Sequence, residues 1–554
     1  MKIAQTIFCV FLLFATLGCE HKSTRGAVVT GHPEATKIGI KVLEDGGNAI
    51  DAAIAVQLAL AVCSPNAGNI GGGGFMIIRM HDGHSYALDF REKAPQKSTK
   101  NMYLDLNGNI IDSLSTYGRL AVGVPGTIDG IFKAHEKFGT TSIDILLNYA
   151  IQLALNGFPI TKRQAQAFNY YQKDFKKHNP QNNYLQADNW EVNDTLKQID
   201  LANTLKIIRD NGRNGFYEGE VAKSIVSTMD GNGIISMEDL QNYHAIWRDP
   251  ITLDFENYKL ISMPPPSSGG IALSQLLIML SYYELDDITH NSIEYIHLLT
   301  EIEKRVYADR SMHLGDMDYY SVPIKELLSL EYNKKRIQNI NLEKATPSNK
   351  ISHGVFNFQE SEETTHLSII DNFGNAVSVT TTLNTSYGSK LFVKERGFLL
   401  NNEMDDFSSK PGSPNTYGLL GSKANAIEPN KRMLSSMTPS ILEKNDDLFL
   451  VLGSPGGSTI ITSVFQTILN TILFNMDIKS AVDAPRFHHQ WKPDKIYMEK
   501  LLAVDEILKP LLKMGHSAQV RSNIGHVNAI MLDNKNTYVG ADRRGDNYGE
   551  TLNK

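Results

Sequence analysis

Cysteine is almost missing from this chain. Three residues, Cys9, Cys19 and Cys63, serve 554 positions, with no CxxC pair and no spacing that would build a zinc knuckle or a disulfide framework. Stability must therefore come from a conventional core. No charge dominates either: 54 basic residues face 61 acidic ones, a net charge of −7. They are spread along the chain and leave no electrostatic footprint for nucleic acid. Beyond the N-terminus no stretch reaches the ~18 uninterrupted apolar residues of a membrane helix. Even Ile460 to Phe474 is broken by threonines, Ser463, Gln466 and Asn470. Fixed-period repeats and long low-complexity linkers are missing too, which favours one large α/β core. Glycine, by contrast, is plentiful, 42 residues against 20 prolines, as expected of a chain with many tight turns.

The N-terminus reads as a targeting segment. Lys2 precedes an apolar run from Ile7 to Leu17 that ends at Gly18-Cys19: a charged start, a hydrophobic middle and a small residue, too short to span as a mature helix. Thr16-Leu17-Gly18-Cys19 is similar to a bacterial lipobox, with its leucine one place later than usual. The expectation is a lipoprotein-type signal over 1–18 and lipidation of Cys19, against ordinary signal cleavage nearby. The mature chain would be extracytoplasmic, periplasmic or membrane-anchored, and would touch membrane only through the lipid.

From His32 to Ala61 the pattern predicts two helices, one stopping near Gly46-Gly47 and an alanine-rich one opening after Asn48. Gly71 to Gly74 follow, then strands around Met76 to Met80 and Ser85 to Phe90. The order helix, glycines, strand is the reverse of a dinucleotide fingerprint, so close packing of backbone on backbone is the expected role. Thr141 to Asp316 reads as mostly helical, with a break at Pro264 to Gly270. Glu331 to Glu363 reads as a polar, exposed connector.

Strands return at Thr364. Thr364 to Ile370 and Asn375 to Leu383 flank Asp371-Asn372-Phe373-Gly374 as a β-hairpin. A two-residue loop puts Thr364 opposite Thr381, and a loop one residue longer puts it opposite Thr382. Taken alone, two facing threonines are an ordinary polar sheet face.

The surrounding blocks change that reading. TGHPEATKIGIKVLEDGGNAIDAA, GGGGF, DFREKAP, LAVGVPGT, GFYEGEVA, PPPSSGG, ADRSMHLGD, TTHLSIID, TLNTSYGS, LLNNEMDDFS, KPGSPNTYG, PNKRMLSSMTPS, GSPGGS and APRFHHQW occur in this order. From about Ala27 to its end the chain resembles the γ-glutamyltransferase (γ-glutamyl transpeptidase) family. The resemblance implies an α/β N-terminal-nucleophile hydrolase fold, an αββα sandwich of two stacked sheets between helical layers, formed jointly by both subunits of a self-processed precursor. The implied cut is Glu363-Thr364, giving a large subunit, 19–363, and a small catalytic one, 364–554.

It further implies that Thr364 is the nucleophile. A threonine at a new N-terminus carries its own base, since the freed α-amine has a reference pKa of about 7.7 to 8.0. Thr382 would lie beside it, and His366 reads as a structural strand histidine. Family matching assigns Glu403 and Asp406 to the donor's α-ammonium, with Asp405 supporting. It assigns Arg91, Ser435 and Ser436 to the α-carboxylate, Asn384 to a further donor contact and Tyr417 to a lid. Arginine suits a carboxylate because its fork donates two parallel charge-assisted bonds. Gly453 to Ser458 reads as a strand-to-helix turn, and Gly456 and Gly457 are the implied oxyanion hole.

The implied activity is glutathione hydrolysis and γ-glutamyl transfer, with glutathione and γ-glutamyl compounds as donors and water, amino acids or peptides as acceptors. No metal or cofactor is expected. A glutaryl-type cephalosporin acylase on the same fold is the alternative, and a non-catalytic surface binding lipoprotein a third reading. His488-His489 could suggest a metal pair, but adjacent residues point apart, so packing is expected. Cys63 reads as a buried small hydrophobe.

Overall fold

The computed structural model describes residues 25–552 except 112, 180–182, 188, 353–363, 411, 414, 416–417 and 534–535. The signal, Cys19 and Glu363 therefore lie outside the described residues.

Two antiparallel sheets stack face to face. Their strands in chain order are β1 Ala27–Thr30, β2 Gly73–Arg79, β3 Ser85–Asp89, β4 Ile246–Arg248, β5 Ile251–Phe255, β6 Tyr258–Ser262, β7 Thr365–Ile370, β8 Ala376–Thr382, β9 Ser440–Lys444, β10 Asp447–Gly453, β11 Asn528–Asp533, β12 Asn536–Ala541 and β13 Tyr548–Thr551. The first sheet runs β13-β1-β7-β8-β2-β3-β4 and the second β12-β11-β10-β9-β6-β5. Strands from both sides of position 364 build each sheet, interleaved in the first and side by side in the second, so either fragment alone would leave strand edges open.

The alternation of strand side chains sets the layers. Met76 and Ile78 on β2, with Leu367, Ile369, Val377 and Val379 on the central hairpin, share one core with helices α1 (Pro33–Glu44) and α2 (Ala49–Cys63). Phe75 and Ile77 point the other way, into a second core with Ile261, Ile441 and Val451 of the opposite sheet. Helices α4 (Gly269–Leu280), α5 (Ile293–His313) and α6 (Ile460–Ile472) belong to that second core. A further helix, α3 (Lys162–His178), lies on the α2 side. The result is helix, sheet, sheet, helix.

The predicted helix pair is present. Asn48 caps α2, its side chain accepting from Ile50 and Asp51 N–H while Asp51 reaches back. All fifteen residues of α2 are buried, which small alanines permit. The glycine run packs as expected: a Cβ on Gly72 would stand 2.1 Å from the Thr382 carbonyl oxygen and one on Gly74 2.4 Å from that of Thr380. Only hydrogen fits there, and β2 can lie against β8. Two expectations need correcting. The stretch read as mostly helical contains β4, β5 and β6, short strands whose Ile246, Leu253 and Leu260 carry too brief an alternation to register. The connector contains a helix, Leu330–Ile337, with Asn333 and Ile337 buried.

Beneath the hairpin the two sheets meet through a polar seam. Ser378 Oγ donates to the Leu452 carbonyl at 3.0 Å and accepts from Ser440 N–H at 3.1 Å. Ser368 Oγ donates to the Asn528 carbonyl at 3.1 Å, and Asn528 Nδ2 to that of His366 at 2.9 Å. These buried polar groups are satisfied only in one relative placement of the sheets, which fixes the hairpin end that carries Thr364.

Candidate active site

The hairpin register pairs Ile370 with Ala376 and Thr365 with Thr381. One step further sets Thr364 opposite Thr382, the longer-loop alternative. Thr364, His366 and Ser368 share one strand face, as do Thr382, Thr380 and Ser378, so both threonines stand at the mouth of the polar seam. His366 is buried with Nδ1 2.9 Å from Thr380 Oγ1 and Nε2 3.1 Å from Ser368 Oγ. Burial holds its pKa down to about 3, so it is a neutral structural histidine, as expected.

Thr364 and Thr382 open onto a pocket that also gathers Arg91, Asn384, Glu403, Asp406, Ser435, Ser436 and Gly457. These come from five segments between β3 and α6, brought to one end of the sandwich. Thr382 Oγ1 accepts from Asn384 N–H at 2.7 Å, and Asn384 Nδ2 donates to the Asn402 carbonyl at 3.0 Å. The Pro264 to Gly270 break cradles the serine pair. Ser268 N–H and Oγ both donate to the Ser435 carbonyl, and Ser267 Oγ donates to that of Met437. Gly456 and Gly457 have φ of 132° and 52°, a left-handed turn that suits glycine. Their N–H groups have no acceptor among the described residues. Gly457 faces this pocket, whereas Gly456 lines a second cavity that Thr364 also borders. Tyr417 lies outside the described residues, but its lid neighbour Asn415 donates Nδ2 to Asp406 Oδ1 at 3.1 Å.

The electrostatics are unusual for so enclosed a place. Arg91 is 1% exposed and pairs with Glu403 at 2.5 Å, with Asp406 in a shorter contact, and with Glu92 at 3.5 Å. Three carboxylates thus share one guanidinium. Burial drives Glu403 well above the carboxylate range despite Arg91, drives Asp406 up in the same way, and carries Glu92 to about 8. Like charges this close in a dry site disfavour the fully ionised form of the cluster. Asp405 is tied down separately, accepting from Ser115 Oγ at 2.6 Å.

One residue that sequence reasoning left without a role stands out. Arg310 on α5 is 4% exposed and lines the pocket, donating Nε to Ser268 Oγ and Nη2 to Ser436 Oγ, both at 2.9 Å. No carboxylate pairs with it among the described residues, and burial lowers its pKa to about 10. It sits in the ADRSMHLGD block, one turn from the buried Val306 and Tyr307. An arginine continuing a buried helical stripe was the available signal.

The histidine pair separates as expected. His488 Nδ1 meets Thr462 Oγ1 at 2.8 Å, whereas His489 Nε2 meets Asp494 at 3.3 Å. A different group, His297, Glu301 and His516, has metal-ligand spacing. Its Glu301 already accepts from Lys304, Arg305 and Thr346 N–H, and His297 Nδ1 lies 2.7 Å from His516 Nε2, so the group's polar atoms are engaged within the protein. Cys63 is buried and free, its thiol pKa pushed up by desolvation.

The arrangement gathers the Thr364 and Thr382 hydroxyls, the N–H donors of Gly456 and Gly457, and a small cavity lined with both signs of charge. The gamma-glutamyltranspeptidase family model matches residues 35–552. The glutathione hydrolase proenzyme of Escherichia coli (strain K12) is 42% identical over 524 residues, covering 94% of this chain and 90% of that protein. Among solved structures, the gamma-glutamyltranspeptidase of Helicobacter pylori is 43% identical, covering 60% of this chain and 96% of its own, with a TM-score of 0.56. A cephalosporin acylase from Bacillus halodurans is 26% identical with a TM-score of 0.83, covering 95% and 96%.

Proposed function

The chain belongs to the gamma-glutamyltranspeptidase family, and from that premise we propose that it is a glutathione hydrolase and γ-glutamyltransferase whose precursor cuts itself before Thr364. The observation that carries this reading is the pocket at Thr364, where buried carboxylates gathered on Arg91 share one cavity with a second arginine, Arg310, that is bonded to hydroxyls. Glu403 and Asp406 receive the donor's α-ammonium. Arg310, Ser435 and Ser436 receive its α-carboxylate, with Arg91 bridging the two sets.

The chemistry follows from the placement. Thr364 Oγ attacks the γ-carbonyl carbon while the α-amine of the same residue takes its proton. The oxyanion forms against the Gly456 and Gly457 N–H groups, which are already oriented and need no reorganisation. The amine leaves with the proton, and a γ-glutamyl ester of Thr364 remains. Water then yields glutamate, and an amino acid or peptide yields a new γ-glutamyl amide. Thr382, facing Thr364 and oriented by Asn384 N–H, positions the nucleophile. In the lid, Asn415 bonded to Asp406 and the neighbouring Tyr417 shield the ester. The apolar run before Cys19 supports export, with a lipid anchor on that cysteine and a periplasmic or membrane-anchored location.

The acylase reading has the Bacillus halodurans likeness in its favour. A glutaryl group has no ammonium, so Glu403 and Asp406 would be buried without a substrate cation, a desolvation loss with no return. The test compares release of p-nitroaniline from γ-glutamyl- and glutaryl-p-nitroanilide. Rapid release from the first alone is expected, and preference for the second would overturn the reading.

A further inference from the structure

Gly456 and Gly457 have no side chains, so nothing in the two residues themselves fixes where their N–H groups point. The direction of an amide N–H is set by its peptide plane, because a trans peptide holds C=O and N–H antiparallel. The Gly457 N–H, which faces the charged pocket, therefore points opposite to the Gly456 carbonyl. Whatever holds that carbonyl aims the donor.

Thr459 holds it twice, through its N–H at 2.9 Å and its Oγ1 at 2.7 Å. The same rule applies one peptide further on. Thr459 N–H shares its plane with the Ser458 carbonyl, and that carbonyl accepts from the Tyr307 hydroxyl. Tyr307 lies on α5, before position 364 in the chain, 2% exposed and with its ring edge-on to His488 at 5.5 Å. Its neighbours on that helix face also reach segments that follow position 364. Glu303, Tyr307 and Arg310, at i, i+4 and i+7, meet His489 N–H, the Ser458 carbonyl and Ser436 Oγ in turn. One buried stripe of α5 thus touches both the serine pair of the charged pocket and the back of the glycine turn.

We infer that Tyr307 and Thr459 are positioning residues that act as one relay: the Tyr307 hydroxyl fixes the Ser458–Thr459 peptide, Thr459 fixes the Gly456–Gly457 peptide, and the Gly457 N–H is thereby aimed into the site. Neither residue touches a reacting atom. Hydrogen bonds linked in this way also polarise one another, so the phenol strengthens the donor that it aims. The inference rests on the function proposed above, in which forming and breaking the γ-glutamyl ester both pass through an oxyanion held by this turn.

The test uses mature enzyme and two competitive ligands that differ in what they ask of the turn. L-Norvaline has the head group and chain length of glutamate without a side-chain oxygen. In the boronic acid analogue of glutamate, boron takes the Thr364 Oγ lone pair, the hydroxyl proton passes to the α-amine, and a tetrahedral anion results. Tyr307→Phe should lower kcat for γ-glutamyl-p-nitroanilide and affinity for the boronic acid by about tenfold each. The inhibition constant of L-norvaline should stay within about twofold. A mere loosening of α5 would displace Arg310 as well and weaken L-norvaline equally, so equal losses, or parent values throughout, overturn the inference. Should Tyr307→Phe remain a single chain on a denaturing gel, Thr459→Val and Thr459→Ser decide. Thr459→Val should show the same selective loss and Thr459→Ser, which keeps the hydroxyl, should restore parent values; Thr459→Val without that loss overturns the relay. A parent that releases no p-nitroaniline at all defeats the proposed function instead, a distinguishable result.

Discussion

The two cavities on either side of Thr364 are built on opposite plans. The charged pocket keeps only about 30 Å³ free, room for a water or so, and its buried ions pair with one another. The second cavity is more than ten times larger and is walled by charges of both signs, Arg163, Arg544 and Asp546 among them. A site that must exchange internal ion pairs for a ligand's charges accepts only a ligand that replaces them all. A roomier site tolerates many. On the proposed function, that difference would let a strict donor requirement and a permissive acceptor requirement share one nucleophile.

The largest expected effect lies at the point the cavities share. Thr364→Ala removes the hydroxyl for both self-cleavage and turnover, so the protein should run as one band. Activity should fall by more than about a thousandfold, whereas the parent's smaller fragment should begin Thr-Thr-His-Leu. Full activity from uncut protein would break the assignment. Next comes Thr382→Val, which keeps the shape but loses the hydroxyl facing Thr364. If that bond strengthens in the transition state, its loss costs on the order of 2.7 to 4 kcal/mol, by analogy with an oxyanion donor. Parent rates of maturation and turnover would make the two threonines bystanders.

The charged pocket can be divided further. Asp406→Ala and Arg91→Ala each remove a charge-assisted partner worth about 1.5 to 3 kcal/mol and should lower donor kcat/KM at least tenfold. Arg91 is hemmed in by three carboxylates, whereas Arg310, among the described residues, is bonded to the hydroxyls of Ser268 and Ser436. Arg310→Gln should therefore raise donor KM by about tenfold. It should do so less for a donor whose α-carboxylate is amidated. An equal effect on both donors would place the carboxylate on Arg91 alone.

How much of this was legible before the fold was known depends on distance along the chain. The hairpin, the two N-terminal helices and the Gly453 to Ser458 turn are local patterns, and the structure has them where the sequence places them. Thr364 opposite Thr382 needed only a turn length. The union of Arg91, Asn384, Glu403, Asp406 and Ser435 in one pocket could be named only through family resemblance, since no spacing rule brings together residues more than 300 positions apart. Arg310 escaped because a buried arginine on a helix looks like any other until its partners prove to be two serine hydroxyls. The strands β4 to β6 escaped because short elements give alternation too little length. The cavity on the far side of Thr364 was illegible because it is a matter of distance too: α3 and the Arg544 to Asp546 turn meet there only in the fold.

The smallest expected effect tests the packing of charge most finely. Burial pushes the pKa of both Glu403 and Asp406 up, which favours a protonated carboxyl in the empty pocket that an arriving ammonium would discharge. Because the raised pKa makes the neutral form dominant at lower pH, donor affinity should increase as pH rises through the cluster's titration. The slope should be at most about one log unit per pH unit for one proton released. Calorimetry of L-glutamate binding in buffers of differing ionisation enthalpy should show that proton leaving. Glu403→Gln keeps the length and a hydrogen-bonding oxygen for the ammonium but removes one competing charge from around Arg91. Asp406 should then ionise more readily and proton release should shrink, while donor kcat/KM at mildly alkaline pH changes by only about threefold, less than one charge-assisted bond is worth. An undiminished proton release would show that Glu403 is already charged in the empty pocket. The contrast between a self-paired donor site and the open second cavity would then rest on volume alone.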